Sequence, residues 1–175
     1  MAEKTPPEKI IQFLNTYFEL MIEIIFENNG SLDKLMGDGI MAIFGSPIVT
    51  DQEHTPQTDA CNAVKTAIAM QNKVISFNEE LVKNQQQPIQ IGIGIHTGEV
   101  ILGNVGTEKR MEFTAIGDTV NTAARLESYT KQANVPIVIS QATQNFLDNQ
   151  FKLAKIGSVQ LKGKEQLIDA FQVLI

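Results

Sequence analysis

Lys34 and Asp38 lie close together in the segment L-D-K-L-M-G-D-G-I, which spans positions 32–40. Lys34 precedes Asp38 by an even number of residues, so both side chains project from one face if the strand is regular. A carboxylate and an ammonium at one hairpin tip can serve a metal–nucleotide complex, because Mg²⁺ prefers oxygen ligands and cations bind phosphate. The same residues can also form a solvated ion pair at an ordinary Asp-Gly turn, and the spacing leaves that alternative open.

Asn121 and Arg125 are separated by four residues in a segment with helical character, so they share one helix face. The planar, permanently charged guanidinium of Arg125 suits a phosphate, and the Asn121 amide can orient a hydroxyl without adding charge. An exposed polar stripe on a helix has the same pattern, so this alternative also stays open.

Two further candidates have weaker signals. Thr114 lies on a predicted strand just before that helix, where threonine is often only a strand former. Lys162 belongs to a Leu-Lys-Gly-Lys segment, which can be an exposed loop or a phosphate contact. His54 and His96 have no partner at metal-ligand spacing, so we interpret both as structural.

The composition limits the class of protein. The 175 residues have no linker, repeat or low-complexity segment, so we expect one domain over 1–175. The net charge of −6 argues against binding nucleic acid through its phosphates. The single cysteine excludes a disulfide framework and is typical of a reducing, cytoplasmic setting. No apolar run is long enough to cross a bilayer, so we expect no membrane insertion by this domain.

The first half of the chain predicts a helix, a hairpin and a second helix. After Pro6 and Pro7, apolar residues recur at helical spacing as far as Gly30, which is the expected stop. Strands are predicted over 31–37 and 40–44, with Asp38-Gly39 as the tight turn. A long helix then extends from about 55 to 84.

The second half predicts further strands around one helix. Isoleucines alternate with Gln90, Gly92 and Gly94 over 89–95, and the bare glycine face suggests that a helix or backbone lies close over it. A helix with Asp118 as its N-cap is expected to run to about 132. Strands are predicted over 99–103, 111–116, 135–140, 151–159 and 167–174, with a short helix over 142–147. The fold class is therefore α+β, with helices on one face of a mostly antiparallel sheet.

Three long motifs in this order resemble the class III nucleotide cyclase catalytic domain, of the adenylyl cyclase type and the bacterial homodimeric kind. They are L-D-K-L-M-G-D-G-I-M-A-I-F-G at 32–45, I-G-I-G-I-H-T-G-E at 91–99 and F-T-A-I-G-D-T-V-N-T-A-A-R-L-E at 113–127. The Leu-Lys-Gly-Lys segment at 161–164 completes the likeness, which covers nearly the whole chain.

This resemblance implies a ferredoxin-like βαββαβ core with additional strands and helices, and a homodimer with its nucleotide sites at the subunit interface. It implies conversion of ATP to 3′,5′-cyclic AMP and pyrophosphate with two divalent metal ions, Mg²⁺ or Mn²⁺. By motif, Asp38 resembles a metal ligand, and Lys34 with Thr114 the pair that contacts the purine edge. Asn121 resembles the residue that orients the ribose, and Arg125 the one that stabilises the transition state. Lys162 resembles a contact to the β- and γ-phosphates.

One departure from the family concerns the N-terminus. The family begins with a strand and glycine turn that carry a second metal-binding aspartate, and no aspartate precedes Asp33 here. We therefore expect a domain that is N-terminally incomplete relative to the family and lacks its first strand. A catalytically impaired module that dimerises or binds nucleotide is the first alternative to an adenylyl cyclase. A guanylyl cyclase is the second, although those enzymes generally have Glu at the position of Lys34.

Overall fold

The computed structural model describes residues 6–46, 54–147, 149–160 and 167–175. The helices of these residues are α1 (Pro7–Glu27), α2 (Pro56–Lys83), α3 (Asp118–Ala133) and α4 (Gln141–Gln144). The strands are β1 (Gly30–Met36), β2 (Gly39–Phe44), β3 (Ile93–Ile95), β4 (Ile101–Thr107), β5 (Arg110–Ile116), β6 (Ile137–Ser140), β7 (Leu153–Val159) and β8 (Ile168–Val173). The predicted α+β class is confirmed.

Helix α1 presents one apolar face to the protein interior, as its helical spacing predicts. Tyr17, Met21 and Ile24 are buried on this face and pack against α2. The expected stop at Gly30 is wrong by a short distance, because Asn29 takes the left-handed conformation (φ 59°) that ends the helix. Gly30 instead begins β1, where a Cβ atom would lie 2.7 Å from the Phe44 ring.

Strands β1 and β2 form an antiparallel hairpin whose tip is one residue earlier than predicted. Met36 pairs with Gly39, so the two loop residues are Gly37 and Asp38 rather than Asp38 and Gly39. Gly37 has a φ of +65°, and glycine at the first central position is typical of a type II′ turn. Asp38 therefore lies in the turn, and strand alternation does not determine where its side chain points.

The region before β3 is stabilised by side chains of α2 and not by a strand ladder. The Gln71 amide donates to the carbonyl of Ile91 (2.9 Å), and the Asn78 side chain bonds both the N–H and the carbonyl of Ile89 (2.7 and 2.8 Å). These contacts satisfy backbone groups that a neighbouring strand would otherwise bind. The predicted strand over 89–95 is therefore confirmed only over Ile93–Ile95.

The glycine face of this segment is covered by α3, as predicted. A Cβ atom on Gly94 would lie 2.1 Å from the backbone nitrogen of Glu127, and one on Gly92 would lie 2.1 Å from the Thr130 hydroxyl. The helix backbone can approach β3 this closely only because Gly94 lacks a side chain, and the Thr130 side chain fits over Gly92 for the same reason.

The four-stranded sheet has helices on both faces, which corrects the expectation of helices on one face. Its order is β3-β6-β8-β7, with β3 and β6 parallel and the other pairs antiparallel. Ile137 and Ile139 of β6 pack with Val64 of α2, whereas Val138 packs with Leu126 of α3. Because successive side chains of a strand point to opposite faces, α2 and α3 lie on opposite sides of β6.

The two hairpins form separate small sheets. β1 pairs with β2, and β4 pairs with β5. Within the described residues, no strand ladder joins either hairpin to the other or to the four-stranded sheet. Side-chain contacts must therefore determine how the hairpins sit against each other.

The close approach of α3 to β3 predicts a large effect of Gly94→Ala. The new methyl group would overlap backbone atoms of Glu127 and Ala123, which cannot rotate away. We expect a loss of about 2 kcal/mol or more in the free energy of unfolding, measured by urea denaturation. Gly103→Ala is the matched control, because a Cβ atom there meets nothing within 4 Å. Equal stabilities of the two variants would contradict this packing.

The raised pKa of Tyr17 predicts that the protein loses stability at alkaline pH. Burial, and secondarily the negative charge of Asp38, raises its pKa to about 12. Between pH 10 and 12 the unfolded chain loses this proton while the folded chain keeps it, so the free energy of unfolding falls across that window. Tyr17→Phe should remove roughly 2 kcal/mol of this dependence, measured by denaturation at successive pH values. Parallel curves for the two proteins would contradict the assignment.

Candidate active site

A bulge in β1 places an aspartate inside the protein next to the candidate residues. The pairing of β1 with β2 shifts between Leu32 and Lys34, so Asp33 is the extra residue of the bulge. Its side chain is only 2% exposed. An aspartate buried to this degree requires hydrogen-bond donors around it.

Asp33 has those donors on β5. The Thr114 hydroxyl donates to Oδ2 of Asp33 at 2.8 Å, and the backbone N–H of Ala115 donates to Oδ1 at 3.2 Å. Thr114 is itself buried, with 7% of its surface exposed. The two hairpins are thereby joined through one carboxylate.

Lys34 lies at the same junction. Its Nζ atom is 3.7 Å from Oδ2 of Asp33 and 3.7 Å from Oε2 of Glu112, and its side chain is 32% exposed. At these distances the ammonium interacts with both carboxylates by charge, and it keeps donors for another acceptor. The structure therefore brings Lys34 and Thr114 together, as the resemblance implies for a pair that contacts one ligand.

Asp33 is not among the residues that the spacing or the resemblance singles out, although its position in the sequence carries a signal. Aspartate is disfavoured inside a strand, and Asp33 directly precedes a candidate site residue. A polar residue that interrupts a strand pattern in this way indicates either an exposed edge or a buried polar contact. The structure shows that Asp33 makes a buried polar contact.

Asp38 is exposed at the tip of the first hairpin, near enough to α1 for its charge to act on Tyr17. Within the described residues, no group of three or more His, Cys, Asp or Glu side chains could hold a metal ion. Asp38 can therefore supply one oxygen ligand but not a complete metal cage.

Asn121 and Arg125 share one face of α3, as their spacing predicts. The predicted N-cap is wrong by one residue, because Gly117 is the N-cap and Asp118 begins the helix. Asn121 is exposed and Arg125 is half-buried. Over the described ranges, no hydrogen bond or ion pair joins either of them to Lys34 or Asp38. One copy of the chain thus presents two separate groups of candidate residues.

The start of α3 is connected to the segment after β3. The Thr119 hydroxyl donates to the carbonyl of Glu99 at 2.7 Å, and Gly98 allows this approach. Nδ1 of His96 lies 2.7 Å from the buried Ser140 hydroxyl at the end of β6. The first contact attaches the start of the helix that carries Asn121 and Arg125, and the second joins the segment after β3 to the end of β6.

The remaining candidates are two histidines and a lysine. His96 contacts Ser140, and Nδ1 of His54 lies 2.9 Å from Oδ1 of Asp59, so both have the structural contacts that the sequence suggested. Lys162 lies outside the described residues. In the part of the chain that the structure covers, none of the helices is long and apolar enough to cross a bilayer.

Relatives of known name match almost the whole chain. An adenylate cyclase of Anabaena cylindrica is 38% identical over 99% of this chain and 34% of its own length. The chain spans about a third or less of the length of three curated adenylate cyclases that it matches, namely 8%, 25% and 34%.

Solved structures have the same fold. The adenylyl cyclase CyaB from P. aeruginosa superposes with a TM-score of 0.90 at 30% identity, covering 99% of this chain and 86% of that one. The guanylyl cyclase Cya2 has a TM-score of 0.83 at 35% identity, covering 98% and 83%. The family model of the adenylate and guanylate cyclase catalytic domain matches residues 1–173. This chain belongs to the class III adenylate and guanylate cyclase catalytic domain family.

Proposed function

We propose that this chain is the catalytic domain of an adenylyl cyclase, which converts ATP to 3′,5′-cyclic AMP and pyrophosphate. The observation that carries the proposal is the contact of Asp33 with both Lys34 and Thr114. It places a cationic donor and a hydroxyl side by side, which suits the hydrogen-bonding edge of a purine. The adenylate cyclases among the relatives support the same substrate.

Arg125 and Asn121 suit the reacting end of the nucleotide. The 3′-hydroxyl releases its proton to solvent and its oxygen attacks the α-phosphorus, the bond from that phosphorus to the bridging oxygen breaks, and pyrophosphate leaves. Negative charge increases on the phosphoryl oxygens, and a guanidinium placed there stabilises it. The Asn121 amide can hold the ribose in position for this attack.

Asp38 suits a divalent cation shared with the nucleotide. Mg²⁺ commonly binds through one or two carboxylates together with substrate phosphates and water, so a single exposed aspartate is an adequate protein contribution. Bound Mg²⁺ or Mn²⁺ supplies acidification of the hydroxyl and charge neutralisation of the triphosphate. Lys162 would add a cation near the β- and γ-phosphates, as the resemblance implies.

A complete site would require a second copy of the chain. The hairpins expose a set of large apolar side chains, which is unusual for a surface that remains in water. They are Leu35, Met36, Ile101, Met111, Phe113 and Ile116, each between 44% and 75% exposed. A homodimer that covers them could bring Asn121 and Arg125 of one copy to Asp38 and Lys34 of its partner.

A guanylyl cyclase is the second candidate, because Cya2 is 35% identical to this chain. Lys34 argues against it, since a lysine donates to the unprotonated N1 of adenine but faces the N1–H donor of guanine. A catalytically impaired module is the third candidate, because the described residues supply only part of a metal site. The single domain over 1–175 and the cytoplasmic setting stay predictions from the sequence.

The first prediction from this proposal concerns nucleotide choice. With Mn²⁺, the full chain should form cyclic AMP from ATP with kcat/KM at least about tenfold above that for GTP, because a mismatched buried polar pair costs roughly 1–3 kcal/mol. Chromatographic assay of both cyclic products measures this ratio, and removal of the metal with a chelator should abolish both reactions. A preference for GTP would favour the second candidate, and no product with either nucleotide would favour the third.

The second prediction concerns the composite site. Asp38→Asn and Arg125→Ala should each be nearly inactive alone. A mixture of equal amounts should recover about a quarter of the wild-type activity, because half of the random dimers are mixed and each mixed dimer has one intact site. Failure to recover activity, with dimers confirmed by light scattering, would show that both residues serve the site from the same copy.

A further inference from the structure

We propose that Asp33 sets the purine preference of the site by fixing the direction of the Thr114 hydroxyl proton. This inference rests on the proposed function, because it assumes that Thr114 contacts the purine edge. Asp33 would act through Thr114 and not on the substrate itself, so it is a positioning residue.

The hydrogen bonds at Asp33 permit one arrangement of protons. The backbone N–H of Ala115 can only donate, and it occupies Oδ1 at 3.2 Å. The Thr114 hydroxyl donates to Oδ2 of the same side chain at 2.8 Å. The hydroxyl has one proton, and the Asp33 oxygen at 2.8 Å is a much nearer acceptor for it than the Ala115 carbonyl at 3.5 Å, so this bond uses it. Any further partner of the Thr114 oxygen must therefore be a donor.

Burial stabilises the hydrogen bond from the Thr114 hydroxyl to Asp33. The Asp33 side chain is 2% exposed and Thr114 is 7% exposed, so water does not readily compete for either group. Turning the hydroxyl away would leave a buried carboxylate oxygen without its donor, which is costly. The direction of the Thr114 O–H bond is thus fixed before any nucleotide binds.

A Thr114 oxygen that can only accept a hydrogen bond from the ligand discriminates between adenine and guanine. Adenine presents an amino group, which is a donor, at the position where guanine presents a carbonyl oxygen. The Thr114 oxygen can accept from the amino group but opposes the carbonyl. Lys34, which keeps donors free beside Asp33, matches the unprotonated N1 of adenine and opposes the N1–H of guanine. Both residues then favour adenine for the same electrostatic reason.

Asp33→Asn tests the direction of the proton with almost no change in shape. The Ala115 N–H still requires an oxygen, so the new amide oxygen stays at that side and its NH₂ group faces Thr114. The Thr114 hydroxyl must then accept from the amide, and its proton becomes available to the ligand. We expect the ratio of kcat/KM for ATP over GTP, and the matching ratio of dissociation constants, to fall about tenfold in the full chain with Mn²⁺.

Three control variants separate this effect from others. Asp169→Asn is the matched substitution, because Asp169 also accepts from a hydroxyl, that of Ser158, and from Lys155, but on β8. Glu112→Gln removes the other negative charge 3.7 Å from Lys34 without contacting Thr114. Asp169→Asn and Glu112→Gln should both keep the wild-type ratio of kcat/KM for ATP over GTP. Asp33→Asn combined with Thr114→Val should show no shift beyond that of Thr114→Val alone.

Three outcomes would overturn the inference. They are an unchanged ratio in folded Asp33→Asn, a shift that persists in the Thr114→Val background, and an equal shift with Glu112→Gln. If Asp33→Asn does not fold, a nucleotide analogue with hydrogen in place of the adenine amino group replaces it. Wild type should use the analogue about tenfold less well than ATP, and Thr114→Val should use the two alike. Equal use by wild type would overturn the inference.

The proposed function can fail separately from this inference. If wild type binds ATP and GTP but cyclises neither, the proposed activity is wrong. The ratio of dissociation constants still tests Asp33 in that case. If wild type makes cyclic AMP and Asp33→Asn keeps its preference, the activity stands and the role of Asp33 is wrong.

Discussion

The buried carboxylate of Asp33 is the contact on which the candidate site depends. The two hairpins share no strand ladder in the described part of the chain, and Asp33 of one hairpin accepts hydrogen bonds from Thr114 and Ala115 of the other. A bulge leaves one residue out of the strand ladder and can re-aim its side chain. Because an unsatisfied buried carboxylate is expensive, this contact constrains the hairpins to one relative position.

A different constraint holds α3. Gly94 allows the helix backbone to lie directly on β3, Gly92 makes room for the Thr130 side chain, and Thr119 attaches the start of the helix to Glu99. Asn121 and Arg125 are therefore carried by a helix with little freedom to shift along the sheet. Rigid support of this kind favours catalysis, because small displacements of a charged group reduce its stabilisation of a transition state.

Local patterns in the sequence predicted most elements, and the errors have physical causes. The helices at Pro7–Glu27 and Pro56–Lys83 follow from apolar spacing, and the cover over Gly92 and Gly94 follows from their missing side chains. The strand over 89–95 was overextended, because Gln71 and Asn78 satisfy its backbone from a distant part of the chain. Asp33 was missed for the same reason, since its partners lie more than eighty residues later.

The placement of the candidate residues also bears on why activity would require two copies. The groups suited to the base lie on the hairpins, whereas those suited to the ribose and phosphate lie on α3, and within the described residues no polar contact joins the two groups. Several exposed apolar side chains of the hairpins lie close in sequence to the candidate base contacts: Leu35 and Met36 follow Lys34, and Phe113 and Ile116 lie on either side of Thr114. Burial of those side chains against a partner would remove water from the region of the proposed base contacts. In such a dry environment the direction of a single hydroxyl proton has its greatest effect on which purine binds.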